Sequence, residues 1–213
     1  TRVYVNTDDG TKGKPAGFAI ASLSSSKAPK VKFMHMTDEN YFIGHEAGVD
    51  NVSGIYNSFI GWRSGYTNIA GGYNVFLGYR SGFTNNASYN VFMGFEAGFS
   101  NTTGSFNSFI GYQSGFTNTA GLQNTANGYR SFYFNQDGQY NTAMGAFALY
   151  NNTTGDDNTA VGNNVLSANT TGYRNIAIGS SALQFNTVGF ENTAVGVAAL
   201  YTNVSGDYNA ALG

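Results

Sequence analysis

The chain is predicted to be an all-β protein: a parallel β-solenoid (β-roll) of about ten 17-residue coils, preceded by a small β module. Three observations predict this: a fixed 17-residue period, apolar residues that keep their place within it, and a scarcity of charge. Asparagine stands at Asn40, Asn57, Asn74, Asn90, Asn107, Asn124, Asn141, Asn158, Asn175, Asn192 and Asn209, 17 residues apart except for one step of 16. Four positions after each comes a glycine, eleven times of eleven, among them Gly61, Gly111, Gly145, Gly162, Gly179 and Gly196. Eleven positions after the first ten comes a second asparagine, from Asn51 to Asn203. Self-similarity of this kind marks a repeat architecture in which each unit is one supersecondary element stacked on the next.

With the leading asparagine as position 0, the unit reads Asn, small or β-branched, Phe or Ala, aliphatic, Gly, followed by a turn-rich stretch that usually carries Gly at position 14. Glycine, asparagine, threonine and aromatics are poor helix formers, and the apolar residues lack a 3.6-residue spacing. Strands of four or five residues, punctuated by Asn and Gly able to take positive φ, suit the pattern. The single short step falls at Asn85 to Tyr89, which has lost a residue and its glycine in the turn; loops tolerate such deletions. Both prolines, Pro15 and Pro29, precede the repeats, as expected where every coil must donate backbone hydrogen bonds to its neighbour.

Covariation within the unit identifies the core. In the first five units position 2 is Phe42, Phe59, Phe76, Phe92 and Phe109, and position 8 is glycine. From the sixth unit the volumes invert: position 2 is alanine, and position 8 becomes Phe132, Leu149, Leu166, Leu183 and Leu200. Close-packed interiors tolerate exchanges that conserve volume, so positions 2 and 8 are expected to share one space. Position 3 is apolar as well, with Ile60, Ile110, Val161, Ile178 and Val195 among its members. Adjacent strand residues point to opposite faces, so two apolar stripes imply two covers. In so thin a coil the second cover is expected to be another copy of the chain. Which stripe is interior and which is interface is open at this stage.

Residues 17 apart should form ladders at the inter-strand spacing of about 4.8 Å, so ten coils make a segment about 48 Å long. The asparagine columns, with Asn57, Asn107, Asn141, Asn158, Asn175 and Asn192 in the first, are expected to satisfy backbone groups in the turns. Position 5 carries His45, Trp62, Tyr79, Phe95, Tyr112 and Tyr129, and position 9 carries Tyr66, Phe83, Phe99, Phe116, Tyr133 and Tyr150. Such rings stack on one another, and Trp62, Tyr79, Tyr112 and Tyr129 are candidates for glycan contact. Opposite charges on neighbouring rungs (Glu46, Arg63, Arg80 and Glu96; Asp157, Arg174 and Glu191) read as exposed ion-pair ladders that fix register.

Composition and charge narrow the functions. Of 213 residues, 29 are glycine, 27 asparagine and none cysteine, 10% are charged, and the formal net charge is −2. Nucleic acid as a partner is not expected without a basic face. No disulfide or thiolate metal site exists, no apolar run is long enough to span a bilayer, and His35 and His45 lack companions at ligand spacing. Neither metal nor cofactor is expected. The nearest approach to a catalytic pair in the repeats, Asp156 and Asp157, should diverge in their turn rather than flank a bond to be cleaved. Residues 1–39 differ in kind, with six basic and four acidic side chains. Thr1 to Val5, Gly17 to Leu23 and Val31 to Met36 read as strands of a cap or preceding module. The chain begins without methionine and stops within a repeat, which suggests a fragment of something longer.

Units such as Asn158 to Gly162 (Asn-Thr-Ala-Val-Gly) and Tyr56 to Gly61 (Tyr-Asn-Ser-Phe-Ile-Gly) resemble those of tail-fibre-like surface proteins of Bacteroidetes and their phages. They are also similar to the head domains of trimeric autotransporter adhesins, although head units there are shorter and lack the Phe/Gly pairing. The opening Thr-Arg-Val-Tyr-Val, with the later Gly-Phe-Ala-Ile, resembles a module that precedes such repeats. The resemblance covers nearly the whole chain. It implies a parallel β-roll with three chains about one axis, at a cell surface or on a virion fibre, serving attachment or spacing. The expected function is therefore a structural or adhesive segment of an extracellular homotrimer, its partners being itself and a cell-surface glycan or another cell. One rival is a polysaccharide-binding or depolymerising tailspike, which predicts clustered acids in loop insertions. Another is an ice-binding solenoid, hinted at by Thr125, Thr142, Thr159 and Thr193 but interrupted by Ile176.

Overall fold

A computed structural model describes residues 18–21 and 32–213. The strand expected over Thr1 to Val5 lies outside those residues, as do the outer parts of the other two strands expected there. What is described of them is β1 (Phe18–Ala21) and β2 (Lys32–Met36), antiparallel to each other. β2 pairs antiparallel with β3 (Tyr41–Ile43), the first strand of the repeats. From β3 to β13 (Ala210–Leu212) every strand pairs in parallel with the next, in one 13-stranded sheet whose spatial order is the sequence order. Residues 17 apart are direct partners: Phe42 faces Phe59, and Ala160 faces Ala177. The chain is an all-β parallel solenoid with one strand per coil. Among the described residues there is no helix, hence none long and apolar enough to cross a membrane.

Each repeat strand has three residues rather than the four or five expected. The rest of the coil is irregular but still hydrogen-bonded to its neighbours. The amides of positions 4 and 6 reach up one coil (Gly61 N–H to Ile43 O, 2.8 Å; Arg63 N–H to His45 O, 2.9 Å), and that of position 8 reaches down (Gly48 N–H to Ser64 O, 3.0 Å). These bonds demand backbone twists inside the coil. Positive φ falls at positions 4, 6, 8 and 16, as in Gly61 (140°), Arg63 (53°), Gly65 (59°) and Tyr73 (60°). The sequence suggested that the recurring asparagines would take these conformations. They do not; arginine, glutamate, tyrosine and, in the later coils, leucine occupy them instead. Each such non-glycine residue carries about 1 kcal/mol or more of backbone strain, which persists because the hydrogen bonds to the next coil over-determine it.

Position 4 must be glycine for a second reason. A Cβ on Gly61 would sit 2.2 Å from Gly78 O, and one on Gly94 2.2 Å from Gly111 O. The backbones of successive coils pass too close there for any side chain.

The interior is a single file of side chains from positions 2, 7 and 8. Phe59, Phe76, Phe92 and Phe109 are fully buried, as are Leu149, Leu166 and Leu183; Leu200 packs against the same cluster and is partly buried. A Cβ on Gly115 would lie 2.3 Å from the Phe109 ring, so the glycine of the early units is the space that their phenylalanine fills. From Phe132 onward the large residue stands at position 8 with φ between 47° and 54°, and the alanine opposite makes room. Position 7 completes the file: Ala97, Ala148, Val165 and Ala182 are buried, and the buried Ser81 donates to Phe92 O at 2.8 Å. The short step is absorbed as expected: Phe76 still pairs with Phe92, and Ala87 O takes the place of the position-14 glycine carbonyl, accepting from Asn74 Nδ2 at 2.8 Å.

Moving the boundary between the two kinds of core by one coil tests this packing. Phe109→Ala alone should cost about 3–5 kcal/mol. Gly115→Leu alone should also destabilise, by collision with the ring. The double variant should lose at least about 1 kcal/mol less than the sum, read from denaturant midpoints.

Candidate functional site

Two asparagine columns form a continuous relay along the rod. Asn141 Oδ1 accepts the backbone N–H of Asn158, Asn158 Oδ1 that of Asn175, and Asn175 Oδ1 that of Asn192, each at 3.0 Å. Asn57 and Asn107 are bound in the same way to the residues above and below them. From Asn40 to Asn192 the Nδ2 of each position-0 asparagine donates across the coil to the position-14 carbonyl (Asn158 to Gly172 O, 2.8 Å), where the position-11 amide converges (Asn169 to Gly172 O, 2.9 Å). The position-11 amides also link to one another, Asn118 Nδ2 to Asn101 Oδ1 at 2.6 Å. Nearly all of these side chains are shielded from water, and buried amides need such partners. Asn101, Asn152 and Asn169, each the first residue of an Asn-Thr-Thr glycosylation pattern, belong to this column and are fully buried, with their Nδ2 groups already engaged.

The two apolar stripes part company. Position 2 lines the interior; position 3 faces outward, with Ile60, Leu77, Ile110 and Ile178 about 40% exposed and Val161 and Val195 half-buried. Position 1 points the same way, so the threonine column with Thr125 and Thr193 shares this face, interrupted by the exposed Ile176. In the early coils the face is flanked on one side by Trp62, Tyr79, Phe95, Tyr112 and Tyr129. On its other side stand Tyr56, Tyr73, Tyr89 and Phe106, each about half exposed. That second flank is a ladder the sequence reading did not identify; three tyrosines at position 16 were the available signal.

The rings of these ladders turn their faces to each other. Trp62 and Tyr79 are stacked with centroids 4.9 Å apart and planes 8° apart, and Tyr112 and Tyr129 are 5.3 Å and 12° apart. Position 9 does the same from Tyr66 to Tyr150. A ring within such a ladder offers mainly its edge to solvent. Burial raises the pKa of the Tyr133 phenol, and the Arg130 guanidinium partly opposes the shift.

The charged column at position 6 is less exposed than the sequence suggested. Arg63 Nε binds Glu46, and Glu96 accepts from Arg80 Nη1 at 3.2 Å and from Gln113 Nε2 at 3.0 Å. The Glu96 side chain is only 12% exposed. The Arg80 guanidinium lies 4.5 Å from the Phe83 and Phe99 ring centroids, in cation–π contact with both. Among the described residues, Arg174 and Glu191, 3.0 Å apart, form the exposed kind of pair. Asp156 Oδ1 accepts the Gln139 N–H at 2.7 Å, and three coils on Asp207 Oδ1 accepts the Phe190 N–H at 3.0 Å in the same way. Among the described residues no group of three or more His, Cys, Asp or Glu is placed to hold a metal ion.

One place on the surface departs from the repeat. A cleft of about 380 Å³ is lined by Phe134, Gln136, Asn151, Thr153, Ala168 and Thr170. No sequence pattern singled it out, because it is made where position 10 carries Asn151 and then Ala168 in place of the phenylalanine at Phe134. No protein-family model matches the chain, and no curated protein and no solved structure matches it.

Replacing Asn158 by leucine keeps the volume but strips the Asn175 N–H of its acceptor. It should lower stability by at least about 1–3 kcal/mol in chemical denaturation, whereas Asn163→Leu, in the exposed position-5 column, should be nearly neutral.

Proposed function

We propose that this chain is a structural shaft with an adhesive role, one strand of an extracellular homotrimeric fibre on a cell surface or a virion, and that it carries no catalytic activity. The observation that carries the reading is the outward sheet face: aliphatic side chains at position 3 in file along the rod, bordered by aromatic ladders on both flanks in the early coils. A contiguous apolar surface of this kind on one chain is the usual mark of a protein–protein contact. Stacking side by side extends the same repetition that builds the coil, and three copies about an axis can each turn this face inward. The resemblance to tail-fibre-like proteins and to trimeric adhesin heads points the same way. Against a depolymerase, Glu46, Glu96 and Glu191 are paired with arginine, and Asp156 and Asp207 are held by backbone N–H groups, leaving them poorly disposed for acid–base work at a glycosidic bond.

Two measurements test the proposal. Light scattering should give three times the mass of one chain. The pair Leu77→Lys and Ile110→Lys, on exposed strand positions, should dissociate it to monomers with an unchanged circular dichroism spectrum; a monomeric wild type would sink the trimer. Incubation with capsular or exopolysaccharide should release no reducing ends, and measurable cleavage would replace the shaft reading with the tailspike one.

A further inference from the structure

We propose that the cleft running from Phe134 past Asn151 and Ala168 is a binding site for a short neutral carbohydrate, two or three pyranose rings lying along the rod. The proposal deepens the adhesive part of the fibre reading, on which it rests, and is independent of the oligomeric part.

In the regular coils position 10 is a small polar residue whose side chain bonds to the position-9 carbonyl of the next coil, as Thr84 does to Phe99 O at 2.9 Å and Thr117 to Tyr133 O at 2.9 Å. Phe134 breaks that use, Asn151 resumes it to Ser167 O, and Ala168 and Phe185 have no polar side chain with which to make it. Positions 9 and 10 then read Tyr150 and Asn151, Ser167 and Ala168, Gln184 and Phe185, Tyr201 and Thr202. Bulk is missing at the rung of Ser167 and Ala168 and restored at Phe185 and Tyr201. The cleft starts at Phe134 and runs along the next two rungs of its column, Asn151 and Ala168; Phe185 stands one rung further on.

Its one aromatic wall, Phe134, differs from the ladders in a way that decides the chemistry. Phe134 lies at 80° to Tyr133 and 77° to Tyr150. It is not stacked parallel on another ring, and 41% of its surface is exposed beside the cleft. The stacked Trp62, Tyr79, Tyr112 and Tyr129 lack that freedom. A sugar ring needs an unstacked aromatic face for its axial C–H groups.

The polar lining suits hydroxyl groups. Thr153 and Thr170 each donate their hydroxyl hydrogen to a carbonyl of the next coil, at 3.0 Å. Their remaining lone pairs can accept. Asn151 gives one Nδ2 hydrogen to Ser167 O at 2.9 Å and retains another donor and its Oδ1. The exposed Gln136 adds a second amide. Acceptors and donors are thus mixed at successive rungs, as a ligand of alternating hydroxyl groups requires. None of the lining side chains is charged, so the site favours a neutral sugar over an anionic one. Its volume falls within the range of small-molecule sites.

Saturation-transfer NMR on the full chain tests the proposal with cellotriose, maltotriose, mannotriose and chitotriose as probes. Transfer to the ring C–H protons of at least one is expected, and should fall at least fivefold in Ala168→Phe, which refills the cleft with a residue that its own column already accepts at Phe134 and Phe185. Phe134→Ala, an exposed truncation, should lower it comparably and guards against misfolding of the first variant. Absence of transfer to all four probes, or transfer undiminished in both folded variants, overturns the site. The outcomes separate cleanly from the oligomer: a trimer that binds no sugar loses the cleft alone, and a monomer that binds one loses the trimer alone.

Discussion

Everything in this structure depends on the carboxamide at position 0. Its oxygen takes the N–H of the next coil, and its nitrogen crosses the coil to a carbonyl at position 14. The first contact sets the distance between coils; the second holds the coil's start to its last turn. Aspartate would lose the crossing donor, and glutamine is one methylene too long for both contacts. Serine has a single side-chain oxygen with which to do two jobs. Because the position-11 amide meets the same carbonyl, the two columns brace one turn from both sides, and the buried backbone groups there are satisfied without water, as interiors require.

With the coil so fixed, the interior has room for little. One large side chain per coil fits, and the chain places it at position 2 or at position 8. The early solution uses phenylalanine opposite glycine and stacks the rings at about 5 Å. The later one uses leucine opposite alanine and accepts a left-handed backbone at each leucine. Glycine avoids that strain but loses more entropy on folding, so neither arrangement is plainly superior. The two meet where Phe109 and Phe132 pack tilted rather than stacked, at 50°.

The sequence disclosed those features that recur. Period, strand positions, the shared space of positions 2 and 8, the asparagine alignment and the placement of the short step were all legible, because repetition turns a weak local signal into a strong one. Which apolar stripe lies inside was not legible, since Ile60 and Phe59 are equally apolar and only the handing of the strand decides. The positive-φ residues were misassigned because the coil's twists follow its hydrogen bonds, against the local preference of Arg63 or Tyr73. The arginine–glutamate column looked exposed because sequence shows charge but not the rings of Phe83 and Phe99 that cover Arg80. The cleft was invisible for the opposite reason: it lies where the repeat lapses.

The direction of the inter-coil hydrogen bonds has a mechanical consequence. They run along the rod, so a pull on its two ends loads all the bonds of one junction together while leaving the backbone within each coil slack. Yielding would therefore proceed coil by coil, and each release of 17 residues would free about 58 Å of extended chain where about 5 Å had been. A tether of this construction resists a steady load and then lengthens in steps under a sudden one.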